Sequence, residues 1–207
     1  MYGALFLYAK FFETTFALVK DIRSLTKEEL LEECLKLGEK KFRANQVWEW
    51  LWLKSARSFD EMTNLSLAFR AKLAEHFTFH TMTIANKQKS SDGTIKYAFK
   101  LHDGFLVEGV LIPTRDRVTA CISSQVGCSL SCTFCATGFL KRERNLRKDE
   151  MYDQVALLRE EARKEYDLSL SNIVLMGMGE PLLNYANVMD GIERITAADG
   201  LGMSPQR

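Results

Sequence analysis

Apolar residues recur along the chain with two different periods, and the change between the periods divides the sequence. From Thr26 to about Phe77 the spacing is helical, which predicts a small helical domain. The segment Thr26-Lys-Glu-Glu29 has the pattern of a capping box and predicts the start of its first helix. After His80 the period becomes two, which predicts strands.

The further predicted elements follow in a fixed order. In the helical part they are a helix over residues 44–53, a short one capped by Ser58 and Glu61, and a longer one over residues 65–77. Strands are predicted over residues 94–100, 105–112 and 117–123, the first two after turns at Asp92-Gly93 and Asp103-Gly104. A helix over 149–166, an apolar strand over 170–176 and a helix over 185–197 complete the series. Strand, helix, strand and helix in this order predict an α/β fold with a parallel sheet.

Composition narrows the class of protein only slightly. The 207 residues are 46% apolar and 27% charged, as is typical of globular proteins, and a net charge of +1 gives no general attraction to nucleic acid. The apolar stretch Met1–Val19 is interrupted by Lys10 and Glu13, so it falls short of the ~20 residues that cross a bilayer and lacks the features of a signal peptide. We interpret it as an N-terminal extension of a reduced, cytoplasmic chain without a membrane anchor.

The most informative chemistry is the run Cys128-Ser-Leu-Ser-Cys132-Thr-Phe-Cys135, which follows a predicted strand. Iron–sulfur clusters are usually held by four cysteine thiolates, so a cluster held by three has one iron open to a substrate. A closed zinc site with Cys121 or His102 as fourth ligand is an alternative. Disulfides are typical of secreted chains and are disfavoured here.

A second motif, Gly177-Met-Gly-Glu-Pro181, ends the predicted apolar strand. In a right-handed βαβ unit it would lie beside the cysteine run. Its glycines allow a ligand to approach the backbone, and Glu180 is placed to bind an ammonium group at the open iron. Alternatively, Glu180 caps the next helix.

These motifs resemble those of a known family. The cysteine run, with Phe134 before its last cysteine, resembles the cluster loop of radical S-adenosylmethionine (SAM) enzymes, and the Gly-Glu pair resembles their SAM-binding turn. More narrowly, three segments resemble the RlmN family of adenosine carbon-2 methyltransferases and its relative Cfr: Val107-Glu-Gly-Val-Leu-Ile-Pro113, Cys121-Ile-Ser-Ser-Gln-Val-Gly-Cys128 and Met176-Gly-Met-Gly-Glu-Pro-Leu-Leu-Asn184. The resemblance covers about residues 21–207.

The resemblance implies a domain layout and two cofactors. The layout is an N-terminal extension (1–20), a helical accessory domain (21–80), a connecting β-hairpin (81–113) and a truncated TIM-like partial barrel of the radical SAM type (114–207). By resemblance Cys128, Cys132 and Cys135 ligate a 4Fe-4S cluster. Gly179 and Glu180 help to hold the methionine end of SAM, while Phe134 packs near its adenine.

The resemblance also implies a reaction. The RlmN family methylates carbon 2 of adenosine in 23S rRNA and tRNA through a methyl-cysteine, and a flavodoxin or ferredoxin is the expected electron donor to a monomeric enzyme. The family pattern makes Glu108 the proton acceptor and Cys121 the thiol that releases the RNA adduct by a transient disulfide. No cysteine follows Cys135, so the methyl-carrying cysteine is missing. We therefore expect an N-terminal fragment that is inactive alone.

Two other functions stay open. One is a Cfr-like methyltransferase that acts on carbon 8. The other is a zinc-bound RNA-binding module that uses the cysteines at 121, 128, 132 and 135, with Trp48, Trp50 and Trp52 stacking on bases. Basic residues after the cysteine run form the best local RNA patch, or else a solvated loop: Lys141, Arg142, Arg144, Arg147 and Lys148.

Overall fold

The computed structural model describes residues 19–205, so the predicted extension at 1–20 lies almost entirely outside the described residues. The chain divides into two compact units. The first contains the described residues up to Gln46 together with Ser58–Phe79, and the second contains Val47–Arg57 together with the described residues from His80 onward. Between residues 19 and 205, no helix is both long and apolar enough to cross a membrane.

Five helices and nine strands make up the regular structure of residues 19–205. The helices are α1 (Lys27–Lys36), α2 (Lys41–Trp52), α3 (Leu67–His76), α4 (Lys148–Tyr166) and α5 (Tyr185–Thr196). The strands are β1 (Lys20–Asp21), β2 (Phe77–Thr78), β3 (Thr83–Lys89), β4 (Ile95–Lys100), β5 (Leu106–Pro113), β6 (Val118–Cys121), β7 (Gln125–Val126), β8 (Arg144–Asn145) and β9 (Leu170–Val174).

The first unit begins with the helix start that the sequence predicts. The Glu29 backbone N–H donates to Thr26 Oγ1 at 3.1 Å, and the Thr26 N–H donates to Glu29 Oε2 at 2.8 Å, so the capping box of α1 is confirmed. Cys34 on the same helix is fully buried. Burial, with a contribution from Glu39, raises the pKa of the Cys34 thiol to about 11. This cysteine is therefore a core residue.

The second unit is built on a five-stranded sheet with the order β3-β4-β5-β6-β9. Strands β3 to β6 are antiparallel neighbours, and β6 pairs with β9 in parallel across the crossover helix α4. The predicted βαβ unit is thus present, and the antiparallel strands extend its sheet. The sequence pattern did not single out β3 because this edge strand is exposed along nearly its whole length and lacks apolar alternation.

Helix α4 covers one face of this sheet. A Cβ at Gly109 on β5 would lie 2.5 Å from the Phe99 ring and 3.3 Å from Leu158 of α4, so the small residue lets helix and sheet approach closely. Ionic contacts join the same helix to the edge strand, because Lys87 Nζ lies 2.9 Å from Glu161 and 2.6 Å from Glu165. The core of the second unit lies between α4 and the sheet.

Two of the three tryptophans also belong to the core of the second unit. Trp48 is 6% exposed and Trp52 is fully buried. The Trp48 indole N–H donates to Asp199 at 2.9 Å, and Trp52 meets the Tyr152 ring edge-on at 5.2 Å between centroids. Aromatic residues at helical spacing are usually core residues, and this interpretation is confirmed for both rings. The alternative that they stack on RNA bases is wrong, since their aromatic surface is used in packing. Trp50 is half-buried, with Lys54 Nζ 3.9 Å from its ring centre.

Candidate cluster and cofactor site

The three cysteines of the run lie on a loop that is closed at its neck. Strands β7 and β8 pair antiparallel on either side of it, and the Glu143 N–H donates to the Val126 carbonyl at 2.9 Å. Gly127 has a φ of +72°, and a Cβ there would lie 2.1 Å from the Lys141 carbonyl oxygen. Only glycine fits at position 127, where the segment that enters the loop lies against the segment that leaves it.

The cysteine side chains lie at the surface of this loop. Cys132 is exposed, while Cys128 and Cys135 are half-buried, and all five cysteines of the chain are free. The backbone N–H of Thr137 and then its hydroxyl bind Cys135 and lower the pKa of that thiol. The Leu130 N–H donates to Cys128 Sγ at 3.4 Å. The contacts to Cys135 favour its thiolate, which is the form that binds metals.

The donor set fits a thiolate-bound cluster in its chemistry, but its sulfur atoms do not converge in the structure. Among residues 19–205, no three His, Cys, Asp or Glu side chains are grouped closely enough to hold a metal ion. This finding applies equally to the three cysteines of the run and to the four ligands of the alternative zinc site. The ring of His102 stacks on His80 at 3.9 Å, and its Nδ1 lies 3.7 Å from Glu150.

Phe134, the aromatic residue of the run, is 91% exposed, and Phe139 in the following 3-10 turn Ala136–Phe139 is 85% exposed. Neither ring contributes to the core. The loop therefore presents two aromatic rings to solvent beside its thiols. Only Phe134 was expected from the sequence to contact a cofactor.

The glycine motif follows β9 and leads into a 3-10 turn, Pro181–Asn184. Glu180 Oε1 accepts the Leu182 backbone N–H at 3.0 Å, so the carboxylate caps that turn, as the alternative interpretation expected. Glu180 is half-buried, and the capping bond uses one of its two oxygens. The hydrogen bond to the Leu182 N–H restrains the position of the Glu180 carboxylate.

The glycines of this motif are required by the chain itself. A Cβ at Gly177 would lie 2.8 Å from the Ile122 carbonyl, and one at Gly179 would lie 2.5 Å from Gln125 Cβ. Gly179 also has a φ of +95°, which residues other than glycine rarely adopt. The turn thus packs directly on the segment after β6, a reason that the sequence alone did not reveal.

Glu108 and Cys121 lie on neighbouring strands and on the sheet face that points away from α4. Cys121 pairs with Val110, two residues from Glu108, so alternation places all three on one face. Glu108 is exposed, and its carboxylate lies 3.0 Å from Lys96 Nζ. Burial raises the pKa of the Cys121 thiol, although the Met176 backbone N–H partly offsets this. The two residues therefore share one sheet face, with Glu108 exposed and Cys121 buried.

Sequence reasoning missed a set of buried polar side chains beside the motif. We call residues 123–125 the polar segment; its side chains are Ser123, Ser124 and Gln125, all at most 2% exposed. Gln154 of α4 and Asn184 before α5 are buried against it. No signal in the sequence marked them as buried, because serine and glutamine after an apolar strand are typical of the surface.

Two of the five residues of the predicted basic patch, Arg144 and Arg147, are paired with nearby acids. Arg144 lies 2.6 Å from Asp103 and 2.8 Å from Glu150, and Arg147 lies 2.7 Å from Asp149. These two arginines therefore fix the loop stem and the start of α4. The structure gives little support to an RNA patch at their positions.

Comparison with solved structures indicates the class of protein to which this fold is similar. The crystal structure of a radical SAM methyltransferase from Sphaerobacter thermophilus matches this chain with a TM-score of 0.79 and 37% identity, over 91% of this chain and 55% of that one. The predicted α/β fold class is confirmed by this similarity. The chain has the fold of a radical SAM methyltransferase over the part that the two share.

Sequence comparison shows more specific similarities. Residues 20–79 match the family model of the "Ribosomal RNA large subunit methyltransferase N-terminal domain". The chain is 57% identical over 205 residues to the "Probable dual-specificity RNA methyltransferase RlmN" of Cytophaga hutchinsonii, covering 98% of this chain and 56% of that protein. It is 58% identical over 188 residues to the protein of the same name from Christiangramia forsetii, covering 91% and 53%. The resemblance to the RlmN family is confirmed, and the chain is a relative of these proteins. It spans about half the length of the curated relatives that it matches.

Proposed function

We propose that this chain is the cluster- and SAM-binding part of an RNA methyltransferase that acts on carbon 2 of adenine. One observation carries the proposal: a backbone hydrogen bond joins the segments that carry the two motifs. The Ser124 N–H donates to the Met178 carbonyl at 2.9 Å, which joins the glycine motif to the segment leading into the cysteine loop. A cofactor that touches both motifs would have a common support.

In this proposal Cys128, Cys132 and Cys135 hold a 4Fe-4S cluster as thiolates. When bound, the cluster supplies the electron that splits the sulfonium of SAM. Gly179 and Glu180 hold the methionine end of SAM, and the exposed ring of Phe134 covers its adenine. The low pKa of the Cys135 thiol supports a metal-binding role for the loop.

Glu108 and Cys121 act on the RNA side of the reaction. In the RNA adduct a methylene group joins carbon 2 of adenine to the sulfur of the methyl-carrying cysteine. Glu108 would accept the proton from carbon 2, and its exposed carboxylate on the open sheet face is accessible to a large substrate. The Cys121 thiolate would attack the thioether sulfur, so that a transient disulfide forms as the sulfur–carbon bond breaks, and the freed carbon takes up a proton to become the methyl group. No cysteine follows Cys135 among these 207 residues, so in this proposal they do not supply the methyl-carrying cysteine.

The substrates and partners in this proposal are 23S rRNA, tRNA and an electron donor of the flavodoxin or ferredoxin class. We place the protein in the cytoplasm as a monomer. A helical accessory domain (21–80), a connecting hairpin (81–113) and a radical SAM core (114–207) form its domains. The match of residues 20–79 to a methyltransferase N-terminal domain supports the first boundary.

Anaerobic reconstitution with iron and sulfide tests the cluster. We expect about four irons per chain and a change in the spectrum on addition of SAM. Cys128→Ala should lose this iron, whereas Cys121→Ala, a matched cysteine outside the run, should keep it. Binding of a single colourless zinc ion instead would overturn the proposal in favour of the RNA-binding module.

The reaction is tested in a chimera. This chain would replace the matching part of a full-length RlmN relative, and the modified adenosine would be identified by mass spectrometry and NMR. We expect 2-methyladenosine from the chimera and none from the 207-residue chain alone. An 8-methyl product would assign the chain to the Cfr-like alternative.

A further inference from the structure

We propose that Ser123 and Gln125 are positioning residues that orient the glycine motif for SAM. The inference rests on the proposed function, because it concerns the turn that would hold the methionine end. Both side chains are fully buried, and neither was a candidate from the sequence. Each binds a backbone N–H on one side of Gly179.

Ser123 joins the motif to the strand that carries Glu108. Its hydroxyl donates to the Glu108 carbonyl at 2.6 Å and accepts the Met178 N–H at 2.8 Å. Gly177 lies against the same hydroxyl, because a Cβ there would be only 2.8 Å from it. One hydroxyl thus sets the distance between the proposed proton acceptor and the start of the motif.

Gln125 joins the other side of the motif to the stem of the cysteine loop. Its Oε1 accepts the Glu180 N–H at 2.9 Å, and its Nε2 donates to Asn145 Oδ1 on β8 at 2.8 Å. Gly179 packs on the aliphatic part of the same side chain. A single amide therefore spans from the motif to the strand that follows the cysteines.

These bonds impose an orientation that the motif cannot hold by itself. Glycine has wide backbone freedom, so the peptide groups around Gly179 need external partners to stay in one arrangement. With the Glu180 N–H fixed by Gln125 and one carboxylate oxygen used in capping, the second oxygen has a defined direction. Residues that orient a binding group in this way typically change its affinity about 10- to 100-fold when replaced.

The neighbouring residues provide matched controls. Ser124 is as buried as Ser123, yet its hydroxyl has no hydrogen-bond partner among the described residues. Gln154 is as buried as Gln125, but its amide binds the backbone of Ser123 at 2.8 and 3.0 Å and does not touch the motif. Serine and glutamine are thus each present with and without a side-chain hydrogen bond to the motif.

The experiment compares Ser123→Ala and Gln125→Met with Ser124→Ala and Gln154→Met. In the chain without a cluster, hydrogen exchange measures how well the backbone N–H groups of Met178 and Glu180 are protected from solvent. We expect Ser123→Ala to expose the first amide and Gln125→Met the second, with both protected in Ser124→Ala. In the reconstituted chain, calorimetric titration should show SAM binding roughly tenfold weaker in the two test variants and within about twofold of wild type in the controls.

The outcomes separate this inference from the proposed function. Wild-type affinity for SAM in both test variants overturns the positioning role and leaves the proposed function intact. An equal loss in Gln154→Met also overturns it, because the effect would then follow general packing. If the reconstituted wild-type chain binds no SAM, the proposed function fails and the inference fails with it. If Ser123→Ala does not fold, the comparison of Gln125→Met with Gln154→Met tests the positioning role by itself.

Discussion

The cysteine loop and the polar segment lie next to each other in the sequence and solve opposite problems. The loop carries its reactive sulfurs at the surface and is fixed mainly at its neck, around Gly127. The polar segment carries no reactive group, is completely enclosed, and binds backbone on several sides. The comparison teaches that the residues that perform chemistry and those that hold its geometry can be different, even within a dozen positions.

A physical reason lies behind this difference. Burying a polar group without a partner costs about 1–3 kcal/mol. The hydrogen bonds of Ser123 and Gln125 avoid this cost and hold both side chains in one arrangement, whereas the Ser124 hydroxyl has no partner among the described residues. Exposed thiols carry no such burial cost. The conformation of their loop is fixed mainly by close packing around Gly127. Four predictions test this contrast, in order of decreasing effect.

The largest effect is expected at the neck of the loop. Gly127→Ala should lower the free energy of unfolding by about 3 kcal/mol or more, because it adds a clash with the Lys141 carbonyl to an unfavourable φ. Urea denaturation gives the measurement. Gly104→Ala is the control, since its φ is +87° but nothing lies within 4 Å of a Cβ, and it should lose only about 1 kcal/mol. Equal losses would show that the neck is not tightly packed.

A smaller effect is expected where a buried amide supports the polar segment. Asn184 Nδ2 donates to the Ser124 carbonyl at 2.8 Å and to the Leu146 carbonyl at 2.7 Å. Asn184→Leu should lower the free energy of unfolding by about 2 kcal/mol, since two buried acceptors lose their donor. Thr133→Ala in the exposed cysteine loop should change it by less than about 0.5 kcal/mol. A loop variant that costs as much as Asn184→Leu would remove the distinction between the two regions.

Cysteine reactivity gives a third test. The pKa of Cys135 is lowered by the Thr137 N–H and hydroxyl, and the pKa of Cys121 is raised by burial. At a pH below the ordinary thiol pKa of about 8.5, Cys135 therefore has the larger thiolate fraction. In the cluster-free chain, iodoacetamide should modify Cys135 at least roughly tenfold faster than Cys121 at pH 7.5, with the ratio falling as the pH rises. Peptide mass spectrometry measures both rates, and a faster Cys121 would contradict the assignment.

The smallest effect on stability is expected at the exposed aromatic ring. Phe134→Ala should change the free energy of unfolding by less than about 0.5 kcal/mol, because the ring is 91% exposed. In the proposed function it should nevertheless weaken SAM binding several-fold. Phe139→Ala is the matched control, with 85% exposure and no proposed contact. Equal SAM affinities in the two variants would remove Phe134 from the site.

The sequence predicts the elements whose pattern is local. The capping box of α1 and the apolar spacing of α4 were sufficient to locate both helices, and turns at Gly93 and Gly104 located β4 and β5. Strand β3 could not be found this way, because an edge strand exposed on both sides needs no apolar alternation. Its pairing with β4 is a tertiary contact.

The candidate site was predictable to the extent that chemistry follows residue type. Three close cysteines favoured metal binding once disulfides were disfavoured, and the glycine motif suggested a ligand turn. The polar segment was not predictable, because serine and glutamine in sequence are typical of the surface. Only the fold shows that Gln125 is enclosed and which backbone groups it binds.

The lysines of β3 have a consequence for the behaviour of the protein at high concentration. An open sheet edge normally invites the edge of another molecule and starts aggregation. Here Lys87 and Lys89 are held at that edge by Glu165 of α4, so an incoming strand would have to displace ionic contacts and dehydrate both ammonium groups. The edge that the sequence pattern failed to identify is thereby protected from self-association.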